Sequence, residues 1–141
     1  MPYRFLDDVA TADIAFEATG RDLNEVFRAA AAATLAVMLE DIPGLEDRVE
    51  RTVVLEADDP QELLFRFLQE VIFYKDAECL LLRVRELAVT GDGRQLRAVM
   101  SGEAVDIERH CLNVDVKAVT YHLFTFKETV EGYITTVVLD I

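Results

Sequence analysis

The sequence predicts a single α+β domain, residues 1–141, in which two main helices pack on a largely antiparallel or mixed sheet. The chain has 141 residues, a length typical of one domain. Apolar residues recur at helical spacing in two long segments, whereas most other segments alternate between apolar and polar residues. The resulting order is two strands, a helix, a strand, a helix and four further strands. This order lacks the regular alternation of parallel βαβ proteins and therefore favours the α+β class.

Both helices carry clear start signals. Asp22 is the expected N-cap of the first, with Glu25 three residues later as in a capping box. The segment Ile42-Pro43-Gly44 is expected to end it. Asp59 is the expected N-cap of the second helix, and Pro60 suits its first position. The second helix is expected to end near residues 75–76.

The predicted strands are bounded by turn residues. Gly91-Asp92-Gly93 and the segment 129–132 are typical of hairpin turns. The piece between residues 104 and 117 is less regular. In Asp13–Thr19, Ile14 and Phe16 share one face with Ala18, and Asp13 lies on the other. The seven predicted strands are Tyr3–Leu6, Asp13–Thr19, Arg48–Ala57, Leu80–Thr90, Gln95–Glu103, Ala118–Lys127 and Gly132–Asp140.

Charge excludes one broad class of partner. The net charge is −13, and nucleic-acid backbones are bound by clustered Lys and Arg side chains. We therefore expect no direct nucleic-acid binding, and instead a partner that is a cation or a basic protein surface. No apolar run approaches the roughly 20 residues that span a bilayer, so no membrane association is expected.

The cysteines and histidines give weak signals. Cys79 and Cys111 lack metal-site spacing, and two free thiols are typical of a cytoplasmic protein. We expect them to be buried as small apolar residues. His110 is expected at the surface, and His122 is expected to be packed or at the surface; they would form a zinc site only if the fold assembled one.

The last strand ends in two acidic groups. The Asp140 side chain and the α-carboxylate of Ile141 lie within one residue of each other. Asp13 begins a strand near the start of the chain, and chain termini often lie close together. If these strands are neighbours, three carboxylates converge. Such groups repel each other unless they are solvated or share a cation or a basic partner.

Recognised catalytic motifs are absent from the sequence, which contains no phosphate-binding glycine loop, HExxH or GxSxG. Lys117 begins a strong strand pattern, and residues at strand ends lie at the rim of a sheet. A rim lysine near acidic groups can bind a phosphate or a carboxylate, although a solvated surface lysine remains the simpler interpretation.

Four segments make the chain resemble the archease family. They are Thr11-Ala12-Asp13-Ile14, Arg109-His110, the block from Val116 to His122, and Val137-Val138-Leu139-Asp140-Ile141. The resemblance extends over the whole chain, and the block from Lys117 to His122 and the terminal Asp140-Ile141 are its most specific parts. Ala10 departs from the family, which usually has His at that position.

This resemblance implies a protein cofactor, not an independent enzyme, with no catalytic residue of its own. Archeases assist the RtcB-type RNA ligase of tRNA splicing by promoting its GTP-dependent guanylylation and its multiple turnover. The family's calcium site corresponds to Asp13, Asp140 and Ile141. Lys117 corresponds to a lysine needed for activation, and His122, in the same block, is assigned to the partner contact.

Two other functions remain open from the sequence. A chaperone-like interaction protein would modulate a nucleic-acid-modifying enzyme through an apolar surface. A metal-dependent hydrolase would use Asp13 and Asp140, but no nucleophile or general base accompanies them at a recognisable spacing.

Overall fold

In the part of the chain that the structure describes, the fold consists of two antiparallel sheets, two α-helices and a short 3-10 helix, Ile42–Gly44. The structure, a computed structural model, describes residues 2–6, 13–110 and 112–141. Its elements in chain order are β1 (Tyr3–Leu6), β2 (Asp13–Gly20), α1 (Leu23–Met38), β3 (Val49–Glu56), α2 (Pro60–Glu78), β4 (Leu80–Val89), β5 (Gln95–Ala104), β6 (Ala118–Thr129) and β7 (Gly132–Asp140). The predicted α+β class is confirmed.

The strands divide between a four-stranded sheet and a three-stranded sheet. The first has the order β1-β2-β7-β6, and the second has the order β3-β5-β4. Every pairing in both sheets is antiparallel. The sequence pattern predicted antiparallel strands but did not indicate two sheets. The four-stranded sheet places β2, the second strand, beside the last strand, β7, because these two strands pair with each other.

Both predicted N-caps are present. Asp22 Oδ1 accepts a hydrogen bond from the Glu25 N–H at 2.8 Å, and Glu25 Oε2 accepts one from the Arg21 N–H at 2.7 Å. Asp59 Oδ1 accepts from the Glu62 N–H at 2.8 Å. These bonds satisfy N–H groups that a helix cannot pair within itself. The helices therefore begin where their capping residues predict.

The second helix continues beyond its predicted end, to Glu78. It is closed by Cys79, which adopts a left-handed conformation with φ 56° and whose N–H donates to the Tyr74 carbonyl. Cys79 is an exposed free cysteine, so the expectation that it is buried was wrong. Helices commonly end in a residue with this conformation, whatever its side chain. Cys111 lies outside the described residues.

The core lies between the helices and the sheets. Phe16, Phe27, Phe67, Leu63 and Leu139 are fully buried there. The alanine-rich part of α1 has little side-chain bulk, which allows close packing against β2 and β4. Among the described residues, no helix combines the length and the apolar character needed to cross a bilayer.

A loop carboxylate ties the segment before β3 to the three-stranded sheet. Asp47 accepts hydrogen bonds from Ser101 Oγ at 2.7 Å, Arg83 Nη2 at 2.9 Å and Arg85 Nη1 at 3.2 Å. The Ser101 hydrogen bond, followed by that from Arg83, lowers the pKa of Asp47 below its ordinary value.

Candidate acidic site at the end of the four-stranded sheet

Asp13 and Asp140 lie directly opposite each other on β2 and β7. The Thr19 N–H donates to the Pro2 carbonyl at 2.7 Å, so the backbone of Thr19 faces β1. Backbone direction alternates along a strand, and the β2–β7 register contains no shift. The Asp13 backbone therefore also faces β1, and its pairing with Asp140 is a non-hydrogen-bonded one.

The other side of β7 supports this assignment. The Asp140 carbonyl accepts a hydrogen bond from the Lys117 N–H at 2.8 Å, so it points away from β2. In a non-hydrogen-bonded antiparallel pair the two Cα atoms are about 4.5 Å apart and the side chains lie close together. Because residues directly opposite share a face, both carboxylates project from the same side of the sheet.

Two carboxylates in this arrangement repel each other. Like charges directly opposite on a sheet are destabilising, and neither Asp13 nor Asp140 forms an ion pair or a side-chain hydrogen bond with another described residue. Both are partly exposed. The pair is therefore a position where a bound cation would remove an unfavourable interaction.

Ile141 follows this pair and is partly buried, with its side chain packed against the core. This packing holds the residue after Asp140 beside the sheet.

Calcium prefers six to eight oxygen ligands, from carboxylates, carbonyls and water. Asp13, Asp140 and Ile141 offer oxygens of the right kind but fewer than that number. Within the described ranges, no group of three or more His, Cys, Asp and Glu side chains could hold a metal ion. The donors present therefore fit an open oxygen site and not a closed protein cage.

Lys117 lies at the same end of the sheet. Its backbone is fixed by the hydrogen bond to Asp140, and the next residue, Ala118, is opposite Asp140 on β6. The Lys117 side chain is exposed and makes no ion pair within the described part of the chain. Its ammonium group is therefore available to an external anion.

Lys75 of α2 holds the segment that leads to Lys117. Its Nζ donates to the Val116 carbonyl at 2.7 Å and to Asp115 Oδ1 at 2.5 Å, and it forms an ion pair with Asp76 at 2.5 Å. Burial by itself lowers the pKa of Lys75, but the hydrogen bonds and attraction of the two aspartates outweigh it and raise the pKa overall. Sequence reasoning missed this role because Asp115 lies 40 residues away.

The structure does not bring His122 to the acidic pair through strand pairing. The β6–β7 ladder is interrupted between Thr120 and Thr125, and His122 lies exposed in the interruption. Leu123 has a φ of 55°, a strained conformation for a residue with a side chain. The Tyr121 ring stacks on Phe65 of α2 with centroids 3.8 Å apart. His122 is thus presented on an outward bulge.

His110 belongs to a buried charged cluster, so its expected place at the surface was wrong. Its Nδ1 accepts the Asp106 N–H at 2.8 Å, which leaves the ring proton on Nε2, 3.3 Å from Glu103 Oε1. Arg109 also pairs with Glu103, whose second oxygen accepts the Glu46 N–H. Glu103 is only 3% exposed. The alternation of β5 gave no sign that this acid is buried and paired.

Ala10 and the preceding acids Asp7 and Asp8 lie outside the described residues, as do Thr11 and Ala12.

The comparisons with known proteins place this chain in a protein family. The Archease protein family matches residues 3–141. A protein archease from Archaeoglobus fulgidus is 36% identical over 142 residues, covering 100% of both chains. The chain therefore belongs to the archease family.

Two solved structures share its fold. The solution structure of protein 1598 from Methanobacterium thermoautotrophicum has a TM-score of 0.82 and 33% identity and covers 99% of each chain. The crystal structure of an archease from Thermotoga maritima, described as a possible chaperone, has a TM-score of 0.67 and 21% identity. It covers 94% of this chain, and 93% of its own chain is covered.

Proposed function

We propose that this protein is a cofactor of an RtcB-type tRNA-splicing RNA ligase. In this proposal it promotes the GTP-dependent guanylylation of the ligase and lets the ligase turn over repeatedly. It performs no catalysis itself, and it works in the cytoplasm. Membership of the archease family supports the role.

The observation that carries the proposal is the direct opposition of Asp13 and Asp140, with the Lys117 backbone N–H donating to the Asp140 backbone carbonyl. We propose that Asp13, Asp140 and an oxygen of Ile141 hold a calcium ion or another divalent cation. When bound, the ion supplies positive charge that offsets carboxylate repulsion and can attract an oxygen ligand from outside the chain.

The open shell is the useful property of such a site. A closed cage would satisfy the ion within one protein, whereas an incomplete shell leaves room for water, a nucleotide phosphate or an acid of the ligase. Lys117 then provides a second positive group beside the site, because its ammonium is exposed and has no ion-pair partner among the residues described. We assign Lys117 and the exposed His122 to contact with the ligase.

Charge supports a protein partner. A net charge of −13 disfavours RNA and favours a basic protein surface. Association with the ligase should therefore slow as the salt concentration rises. Tight, salt-sensitive binding of isolated tRNA halves to this protein would contradict the assignment.

The direct test is transfer of GMP from radiolabelled GTP to purified RtcB-type ligase, with and without this protein. We expect faster guanylylation, and more than one ligation per ligase molecule when the protein is present in less than equimolar amount. Equal rates in both reactions would refute the proposed function.

A chaperone-like role is the second candidate. Tyr121 and Leu123 are 63% and 58% exposed on the β6 bulge, and exposed apolar groups can bind unfolded chains. The Thermotoga maritima relative is itself described as a possible chaperone. Suppressed aggregation of a heat-denatured enzyme, without any effect on guanylylation, would favour this role.

A further inference from the structure

A groove runs along α1 beside the outer edge of β1. It has a volume of about 760 Å³. A second cavity of about 680 Å³ shares Ala36 and Asn113 with it and extends to Phe5 and Asp13. On the helix side the groove follows one face of α1, lined by Glu25, Arg28, Ala29, Ala32 and Ala36.

One wall of the groove is an unpaired strand edge. Among the residues that the structure describes, β1 is the outermost strand of its sheet and pairs only with β2. The Pro2 carbonyl accepts from the Thr19 N–H, so backbone alternation directs Arg4 and Leu6 toward β2. The N–H and C=O groups of Tyr3 and Phe5 consequently point away from the sheet. No backbone hydrogen bond to them is formed by the residues that the structure describes.

The side chains along this edge also leave space. Arg4 pairs with Glu17 on the face opposite the helix, so Tyr3 and Phe5 lie on the helix side. Their rings pack edge to face with centroids 5.8 Å apart, and Phe5 remains 44% exposed. Across the groove, Ala32 and Ala36 present only methyl groups and are partly exposed. This is room for one further row of small side chains.

We propose that β1 accepts an extended segment of a partner protein as an added antiparallel strand. The bound segment has small apolar side chains over Ala32 and Ala36 and a Lys or Arg that reaches Asp13. Main-chain hydrogen bonds to Tyr3 and Phe5 give affinity, and the alternate side chains give specificity. Antiparallel addition matches every other pairing in the sheet.

Length and charge define the occupant. The helix rise from Glu25 to Ala36 is roughly 17 Å, which corresponds to about five strand residues. Asp13 at one end has no ion-pair partner within the described ranges, and an antiparallel segment places its N-terminal end there. In the calcium-free protein a basic residue at that end complements Asp13, and calcium should therefore weaken binding of the segment by competing for this carboxylate. A second copy of this chain fits poorly, because each copy carries a charge of −13.

Hydrogen exchange tests whether a segment adds to β1 as a strand, and the test does not depend on any ligase. The probe is a capped eight-residue peptide with an N-terminal Lys followed by alternating Val and Ser. At saturating peptide we expect exchange of the Tyr3 and Phe5 amides to slow at least tenfold. The Arg4 and Leu6 amides, which already bond to β2, should not change. A peptide N-methylated at the residues that face β1 is the control and should not bind.

Substitutions test the groove. Ala32→Leu fills it with a good helix former and should weaken peptide binding at least tenfold, and Ala36→Leu provides a second variant. Gln69→Leu, on the exposed face of α2, is the matched control and should bind normally. Replacing the peptide Lys by norleucine should also weaken binding.

Three results would overturn the proposal. One is unchanged exchange at Tyr3 and Phe5 with peptide bound. Another is wild-type affinity in both leucine variants. The third is protection of these amides by raising the protein concentration alone, which would assign the edge to a second copy.

Discussion

Replacing Asp140 by Asn should have opposite effects on stability in the absence and in the presence of calcium. Asp13 and Asp140 face each other in a non-hydrogen-bonded pair, and no Lys, Arg or His side chain among the described residues pairs with either of them. Cross-strand charge pairs change stability by about 0.2–1 kcal/mol. Without divalent ions, Asp140→Asn should therefore raise the free energy of unfolding by about 0.5 kcal/mol.

Calcium should reverse this order. A ligand that binds only the folded protein adds about 2.7 kcal/mol at a concentration of 100 Kd. The wild type should gain roughly that amount, whereas Asp140→Asn should gain much less because one ligand is weakened. Plotted against calcium concentration, the free energies of unfolding of the wild type and of Asp140→Asn should therefore cross.

Urea unfolding, monitored by tyrosine fluorescence, measures the free energy of unfolding with and without calcium, since the chain has four Tyr and no Trp. The matched control is Glu128→Gln, an exposed acid near the other end of the same sheet, opposite Tyr133. It should respond to calcium like the wild type. The reasoning is refuted if Asp140→Asn is less stable than the wild type in EDTA and is stabilised equally by calcium.

Three further predictions follow from individual side chains. Lys117→Ala should reduce ligase activation yet keep the calcium-dependent gain in stability, because an ammonium cannot be a metal ligand; Lys127→Ala, on β6, which follows Lys117, should change neither. Asp47→Asn should lower the free energy of unfolding at pH 7, because the lowered pKa of the Asp47 carboxyl stabilises the folded protein. This difference between wild type and variant should shrink as the pH falls below about 4, the ordinary pKa of an aspartate. Urea titrations at several pH values measure the difference. Glu103→Gln should cost about 3 kcal/mol in unfolding free energy, as expected when one partner of a buried ion pair is removed, against little change for the exposed Glu50→Gln.

The parts of this fold that follow local chemistry could be predicted from the sequence. Asp22 and Asp59 place the helix starts because an N-cap acts on N–H groups only three residues away. The alternation of β2 correctly assigned Phe16 to the core and Asp13 to the other face. The opposition of Asp13 and Asp140 was also expected, although only as a consequence of two strands being neighbours.

Features that depend on distant contacts could not be predicted. The burial of Glu103 depends on Arg109 and His110 of a following turn. The position of Lys117 depends on Lys75, and no local pattern reveals that contact. The bulge that exposes His122 interrupts a segment that alternates like an ordinary strand, and it includes Tyr121, which stacks on the distant Phe65 of α2.

The most direct test of the proposed function is the rate of ligase guanylylation as calcium is titrated. The reactions compare wild-type protein with Asp13→Asn and Asp140→Asn, each first shown to be folded. Since both acids bind the same ion, we expect the two variants to lose ligase activation to the same extent. Any residual activation should require a much higher calcium concentration. Activation at the wild-type rate and the wild-type calcium dependence by either variant would contradict the proposal that this acidic pair forms the working site.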